Sequence, residues 1–256
     1  MARGAGRELV QHYHESEANK VIKPALSNLK RAGLLVRAKS VVGSPGVVVG
    51  RIASEDAADL IVMGSHGHTG FKSLLFGSVT QAVLASCTTP LLVLRSDAVP
   101  KKESLKLGVA LDGSKYGLAA VRFIAKHHAL FGAAPELILI HVAPDLLKLR
   151  VPGCFTDASV PGFKPEQVEE MQRAGYKRAL APARKLLKGT AMQFTEAQLT
   201  GNAPGDVIAA YATKNKLDIL VLGSHGEGGF LETVLGSVAT RVAAKCRTAL
   251  LLIRQK

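Results

Sequence analysis

The sequence has no tryptophan, and its four tyrosines and eight phenylalanines hold aromatics to 5% of 256 residues. Binders of RNA and of single strands interleave basic residues with aromatics that stack bases, and no such interleaving is present. Cysteine is scarce as well. Cys87, Cys154 and Cys246 form an odd set without C-x-x-C spacing, which argues against a disulfide framework or a structural zinc site. Cys87 and Cys246 each precede an apolar strand and are expected to be buried packing residues. Long apolar runs are missing. Leu250-Leu251-Leu252-Ile253 is typical of those present, far short of the roughly 20 residues that cross a bilayer. The N-terminus shows no apolar core of a secretory leader, so a soluble, cytoplasmic chain without membrane contact is expected. Three catalytic signatures are also absent: G-x-x-x-x-G-K-[ST], G-x-S-x-G and H-E-x-x-H.

Acidic residues are the minority charge. Twenty Asp and Glu face 33 Lys and Arg, giving a formal net charge of +13. That balance favours anionic partners in general. The basic residues are spread along both halves, so a solvated basic surface is expected rather than a nucleic-acid footprint.

What the chain does have is a repeat. Asp59-Leu60-Ile61-Val62-Met63-Gly64-Ser65-His66-Gly67 matches Asp218-Ile219-Leu220-Val221-Leu222-Gly223-Ser224-His225-Gly226 at an offset of 159 residues. The same offset takes Pro45-Gly46 to Pro204-Gly205, Gly77-Ser78-Val79 to Gly236-Ser237-Val238, Cys87 to Cys246 and Arg95 to Arg254. A period this long marks two similar domains rather than a solenoid of short units. A polar, proline-containing linker over residues 96–104 separates them. The expected units are therefore 1–97 and 104–256.

In the second unit, strands are expected at 105–111, 137–142, 192–199, 217–222 and 249–253. Helices are expected at 115–130, 165–188, 205–215 and 233–246, with a long Pro- and Gly-rich loop over 143–164. Strands alternating with helices predict an α/β fold, a doubly wound parallel sheet with helices on both faces. The first unit has no counterpart of residues 105 to about 159, so it lacks the first two strands and the first helix. Its elements are a helix over 8–32, a strand over 35–42, a helix over 46–57, a strand over 60–63, a helix over 73–87 and a strand over 91–94. In a five-stranded sheet of order 3-2-1-4-5 the missing strands would stand between strands 3 and 4. Three arrangements are open. The chain is a shortened form of a longer protein, or the first unit is completed by another chain or by the second unit, or strand 3 pairs directly with strand 4. The apolar fifth strands could also pair edge to edge, within one chain as a pseudo-dimer or between two chains as a homodimer.

Both units carry Gly-x-x-Gly, nine residues, then Gly-Ser, directly after an apolar strand and leading into a helix. Glycines let backbone N–H groups approach an anion closely. A helix N-terminus adds free donors and a favourable dipole, and the serine hydroxyl adds one more. The plainer alternative is that the glycines serve tight turns and close helix packing. Likewise Asp112-Gly113-Ser114 reads either as a ligand contact or as a turn. His66 and His225 sit inside the motif, where a loop role is preferred over catalysis.

The twice-repeated G-x2-G-x9-G-S resembles the signature of the universal stress protein (UspA-like) family. So do Val109-Ala110-Leu111-Asp112-Gly113-Ser114 at the end of a first strand, His141-Val142 closing a second, and Gly201-Asn202-Ala203-Pro204 before a third helix. The resemblance covers nearly the whole chain and marks a tandem type with an incomplete first unit. It implies an adenine nucleotide, ATP or AMP/ADP, at the carboxyl ends of the strands, where ligands sit at a topological switch point. By similarity Asp112 contacts the adenosine, with Ala110 beside it at the end of the same strand. The backbone of Val142 reads the base, and Leu222 lines its pocket. Gly223 and Gly226 lie along ribose and phosphates, while Gly236, Ser237 and Val238 hold the phosphates. Mg²⁺ is carried by phosphate oxygens and not by protein side chains. A second, weaker candidate site comprises Met63, Gly64, Gly67, Gly77, Ser78 and Val79. Its loop carries His68 and Lys72, whereas the second unit's loop carries Glu227 and Glu232, which repel phosphate unless a metal or an arginine compensates. The second unit is expected to be the principal site and to prefer fewer phosphates. The implied function is a nucleotide-dependent stress-response regulator or chaperone-like partner with no identified catalytic residue. A scaffold without nucleotide and a slow ATPase are the alternatives.

Overall fold

The computed structural model describes residues 2–65, 76–95, 102–146, 164–224 and 235–254, with side chains from Ser16 onward. Helix α1 (Ala2–Arg31) and α2 (Pro45–Glu55) precede strand β1 (Ile61–Gly64). Helix α3 (Ser78–Ser86) and strand β2 (Leu91–Leu94) complete the first unit. The second unit runs β3 (Lys106–Ala110), α4 (Lys115–Lys126), a 3₁₀ turn at His128–Phe131, β4 (Glu136–Ala143) and α5 (Pro165–Leu187). It continues through β5 (Phe194–Thr200), α6 (Pro204–Lys214), β6 (Ile219–Gly223), α7 (Ser237–Lys245) and β7 (Ala249–Ile253).

The expected α/β layers are present, and the two units share one sheet rather than forming two. All seven strands join one sheet in the order β1-β2-β7-β6-β3-β4-β5. The second unit's own strands stand as third-second-first-fourth-fifth, and every pairing among them is parallel. The two units meet where β2 pairs antiparallel with β7, through Leu91↔Leu252, Leu92↔Leu251 and Val93↔Leu250. Leu92 and Leu251 are repeat counterparts, so a local pseudo-twofold axis passes between them. This is the geometry of an isologous dimer interface drawn into one chain.

Packing follows from the pattern. Every residue of β7 is buried, as a strand covered on both faces requires. One face carries α2, α3, α6 and α7, whose Val83, Leu84, Ile208, Ala212 and Val242 meet Leu91, Leu220, Leu250 and Leu252. The other carries α4 and α5, whose Ala120, Ile124, Leu180 and Leu187 meet Val109, Leu139, Val221 and Leu251. Cys87 and Cys246 are both buried in the first of these layers; Cys154 lies outside the described residues. The repeated Pro-Gly has a packing cause. Proline opens α2 and α6. A Cβ on Gly46 would lie 2.2 Å from Ala82 Cβ, and one on Gly205 would lie 2.8 Å from Arg241 Cβ. Glycine therefore lets α2 approach α3, and α6 approach α7, at one shared crossing.

Residues 35–42 do not form the expected strand. They are irregular and largely exposed, with Leu35 at 105% and Val42 at 73% of full accessibility. The physical reason is the one the repeat shows. Its counterpart β5 is held by β4, and among the described residues the first unit has no strand equivalent to β4. Helix α1 likewise shows no buried residue among those from Ser16 onward. His127 is half-buried and packs against Phe123 with ring centroids 4.5 Å apart.

Two side chains lock the junction of the units. Arg95 is buried and donates from Nη2 to the carbonyl of Ala243 at 2.7 Å. Its counterpart Arg254 donates from Nη1 to the carbonyl of Cys87 at 2.6 Å. Each arginine follows the last strand of its unit and reaches the C-terminal turn of the other unit's helix, where unpaired carbonyls and the helix dipole favour a cation. Arg95→Ala is expected to lower the unfolding free energy by about 2 kcal/mol, as a charged hydrogen bond to a buried carbonyl is lost. Urea denaturation measures it; a loss below a few tenths would remove Arg95 from the junction's stability.

On the distal edge, Arg184 holds Glu196 through two hydrogen bonds of 2.6 Å, and the Tyr176 hydroxyl donates to the same carboxylate. Arg184 lowers the Glu196 pKa below its ordinary value, with help from Tyr176. Burial, with Glu196, pushes the Tyr176 hydroxyl up to about 12. A carboxyl whose pKa is depressed in the fold stabilises it above the unfolded pKa, and that contribution disappears as pH falls through the folded pKa. Glu196→Gln is therefore expected to destabilise by about 1 kcal/mol at neutral pH, allowing for partial exposure. The gap between variant and parent should close below about pH 4. A pH-independent gap in denaturation midpoints would assign the loss to packing.

Candidate functional site

The described residues of the predicted principal site lie at or just after the carboxyl ends of the second unit's strands and at the start of α7. The chain crosses from β3 to β4 on one side and enters β6 from the other, so the strand order reverses between β3 and β6. A crevice at such a reversal is the usual ligand position in an open α/β sheet.

Asp112 is exposed at the end of β3. Its Oδ1 accepts the backbone N–H of Ser114 at 3.0 Å, the Asx turn that the Asp-Gly-Ser spelling predicts. Gly113 adopts a φ of 93°, which glycine allows at little steric cost. Ser114 then caps α4 by accepting from Gly117 N–H at 3.3 Å. Ala110 precedes on β3, where its Cα partner is Ile140. Val142 is half-buried near the end of β4. It stands beside this turn because Leu111 N–H donates to Ile140 O at 2.8 Å and His141 Nδ1 lies 2.8 Å from Leu111 O. Sequence reading marked His141 only as part of a pair. Its tie to the main chain after β3 is what holds the two strand ends together. A further latch was not foreseen. Asp145 N–H donates to Asn202 Oδ1 at 2.8 Å, and Asn202 Nδ2 donates to Asp145 O at 3.0 Å. Only the Gly201-Asn202-Ala203-Pro204 spelling hinted at it.

Across the crevice, Leu222 is buried and Gly223 ends β6. A Cβ on Gly223 would lie 2.7 Å from Tyr116 Cβ and 2.8 Å from Tyr116 carbonyl carbon. Glycine here lets the end of β6 press against the first turn of α4, which brings Gly223 beside the Asp112 turn. Close packing, the plainer alternative, accounts for this glycine without a ligand. The motif's two ends are tied together, since Gly236 N–H donates to Ser224 O at 2.7 Å. Gly236 then serves as N-cap of α7 without a side-chain cap. Ser237 is exposed at the first helical position, and Val238 is half-buried behind it. The first-turn N–H groups and the Ser237 hydroxyl form a donor set that suits phosphate oxygens. Gly226, His225, Glu227 and Glu232 lie outside the described residues.

The first unit repeats part of this. Gly77 N–H donates to Ser65 O at 3.1 Å, and Gly77 is the N-cap of α3. Ser78 and Val79 are exposed and Met63 is half-buried. Gly64 is exposed, and among the described residues no counterpart of α4 lies against it. Among the described residues this unit has no counterpart of the aspartate turn or of the β4 strand end. Gly67, His66, His68 and Lys72 lie outside the described residues.

Two matches to the universal stress protein family model cover residues 2–95 and 104–254. The chain belongs to the universal stress protein family. It is 26% identical over 262 residues to a universal stress protein of Mycobacterium tuberculosis, covering 95% of this chain and 79% of the relative. A universal stress protein of Methanocaldococcus jannaschii is 34% identical over 93 residues, 34% of this chain and 57% of that relative. The crystal structure of a universal stress protein from Archaeoglobus fulgidus superposes with a TM-score of 0.66 at 21% identity. It covers 96% of this chain and 82% of that one, and supports the tandem α/β fold.

The contrast between the two glycines is testable. Gly223→Ala is expected to destabilise by about 1 to 3 kcal/mol, because the new methyl meets backbone that cannot yield. Gly64→Ala, at the same place in the repeat but exposed, should cost less than about 1 kcal/mol. Denaturation of both variants in parallel decides it; equal losses would refute the packing assignment.

Proposed function

We propose that this chain is a stress-response protein that binds an adenine nucleotide, ATP or AMP/ADP, at the β3–β6 crevice of its second unit. It would work in the cytoplasm as a nucleotide-dependent regulator or chaperone-like partner. On this reading the units are 1–97, without its first two strands, and 104–256. Asp112 accepts from ribose hydroxyls, the main chain at Val142 meets the adenine edge, and Ala110 and Leu222 form the floor. Gly223 and Gly226 give passage to the phosphates, and Gly236, Ser237 and Val238 hold them.

The observation that supports it is that the exposed Asp112 carboxylate after β3 and the N-terminus of α7, which has no side-chain cap and is tied to the end of β6, both belong to strands that flank the strand-order reversal. Among the described residues no group of His, Cys, Asp and Glu could hold a metal ion. On this reading Mg²⁺ is carried by phosphate oxygens, where it offsets the charge of Glu227 and Glu232. Among the described residues no helix is long and apolar enough to cross a membrane.

A scaffold reading has one observation in its favour: the Asp112 turn and the Gly223 contact are complete without a ligand. Calorimetry separates the two. ATP with Mg²⁺ and AMP should both bind, with AMP less dependent on metal. Gly226→Asp and Asp112→Ala should each weaken binding at least tenfold, while Gly67→Asp should leave it within twofold. If only the Gly67 change abolished binding, the principal site would belong to the first unit. No heat and no thermal shift at millimolar ligand would favour the scaffold.

A further inference from the structure

The β3–β4 ladder stops one rung early, and a side chain stands where the next rung would form. Its last Cα pair is Ala110↔Ile140, and its last bond runs from Leu111 N–H to Ile140 O at 2.8 Å. Alternate residues of an inner strand turn their N–H and C=O to opposite neighbours. Ile140 bonds toward β3 in this way, whereas Ala143 bonds toward β5, where its carbonyl accepts Gly201 N–H at 2.9 Å. Val142 has the parity of Ile140. Its N–H and C=O therefore turn to the β3 side, where the Leu111 carbonyl is the next acceptor in line. Among the described residues no main-chain bond joins Val142 to that carbonyl. His141 Nδ1 lies 2.8 Å from it. A carbonyl only accepts, so Nδ1 carries the proton of this bond.

Two supports let β4 run on without β3. On the β5 side, His141, Val142 and Ala143 stay in register with Gln198, Leu199 and Thr200, and the reciprocal Asp145–Asn202 bonds close the end. On the helix side, the His141 ring lies beside Tyr176 with centroids 6.1 Å apart, and the Tyr176 hydroxyl is held by Glu196. Beyond Leu111 the chain is drawn aside by the Asp112 turn, with Gly113 at a φ of 93°. One N–H and one C=O of a single residue are left side by side at the strand-order reversal, facing the gap that β3 leaves.

We propose that His141 is a positioning residue. By taking the Leu111 carbonyl it keeps the β3–β4 ladder from closing over Val142. That keeps the Val142 N–H and C=O open to a planar ligand edge with one acceptor and one donor. The amino group and neighbouring ring nitrogen of adenine form such an edge. The identity of the ligand rests on the nucleotide reading; the state of the ladder does not. A carbonyl left without a donor is costly, so removing the imidazole lets Val142 N–H take its place and the ladder advance by one rung.

The test compares the full chain with His141→Leu and His141→Asn, first without ligand. Asparagine sets an amide nitrogen near the place of Nδ1, while leucine keeps the bulk and donates nothing. Amide exchange at Val142 should slow at least tenfold in His141→Leu and stay within threefold of the parent in His141→Asn. Parent-like protection at Leu139 and Val221 will show that both variants fold. A merely structural bond predicts the opposite sign, faster exchange at Val142 as the strand end frays. Calorimetry with AMP follows. His141→Leu should weaken AMP at least tenfold, and His141→Asn should bind it within threefold of the parent. Unchanged or faster exchange at Val142 in His141→Leu would overturn the proposal, and so would slowed exchange with AMP affinity unaltered. If the parent bound no adenine nucleotide while Val142 responded as expected, the nucleotide reading would fall and the role of His141 in the ladder would stand.

Discussion

The antiparallel pairing of β2 with β7 is the constraint on which the first unit depends. A four-residue, two-stranded sheet has no independent stability in water. Joined to β7, β1 and β2 become the margin of a seven-stranded sheet whose centre is covered on both faces. The register sets Leu92 against Leu251, its own repeat counterpart, so the contact is self-complementary and either unit offers the other the same surface. Arg95 and Arg254 extend that symmetry to the helices. It is approximate, because Ala243 corresponds to Leu84 while Arg254 reaches Cys87, about one turn farther on.

This pairing separates what the repeat preserves from what it does not. On the face of α2, α3, α6 and α7 the two units match closely. Gly46 meets Val79 and Ala82, as Gly205 meets Val238 and Arg241, and both cysteines are buried. On the opposite face only the second unit has α4 and α5 packed on the sheet. One spelling therefore takes on two physical states. Gly223 is clamped against Tyr116, whereas Gly64 is exposed. The glycine motif is legible in both units, but only one of them has the helix that gives its first glycine a packing role.

The same contrast explains how much could be read from the chain beforehand. Strand β7 was placed to the residue, because an unbroken apolar run bounded by Cys246-Arg247-Thr248 admits few alternatives. Helix α4 was extended to Leu130, but its regular part stops at Lys126 and a 3₁₀ turn takes over; hydrophobic periodicity does not distinguish the two. Residues 35–42 carry apolar residues suited to a strand, yet a strand exists only when a neighbour takes its hydrogen bonds. No local pattern reports a missing neighbour. The offset did, by showing which segment has no equivalent. At the site, Asp112, Val142 and Gly223 were legible as spelling, and the turn, the strand ends and the glycine clamp are their physical content. The Asp145–Asn202 latch was not, since a reciprocal bond between residues 57 apart leaves no periodic trace.

Strand direction bears on whether the two incomplete sites could serve each other. The first unit's loop is basic through His68 and Lys72, and the second unit's loop is acidic through Glu227 and Glu232, so sharing one nucleotide would resolve both deficits. The sheet forbids it within one chain. Strand β1 is parallel to β2, β2 is antiparallel to β7, and β7 is parallel to β6, so β1 and β6 point in opposite directions. Their carboxyl ends, from which the two loops spring, lie at opposite edges of the sheet. The anchors Ser65 and Gly77 therefore face away from Ser224 and Gly236.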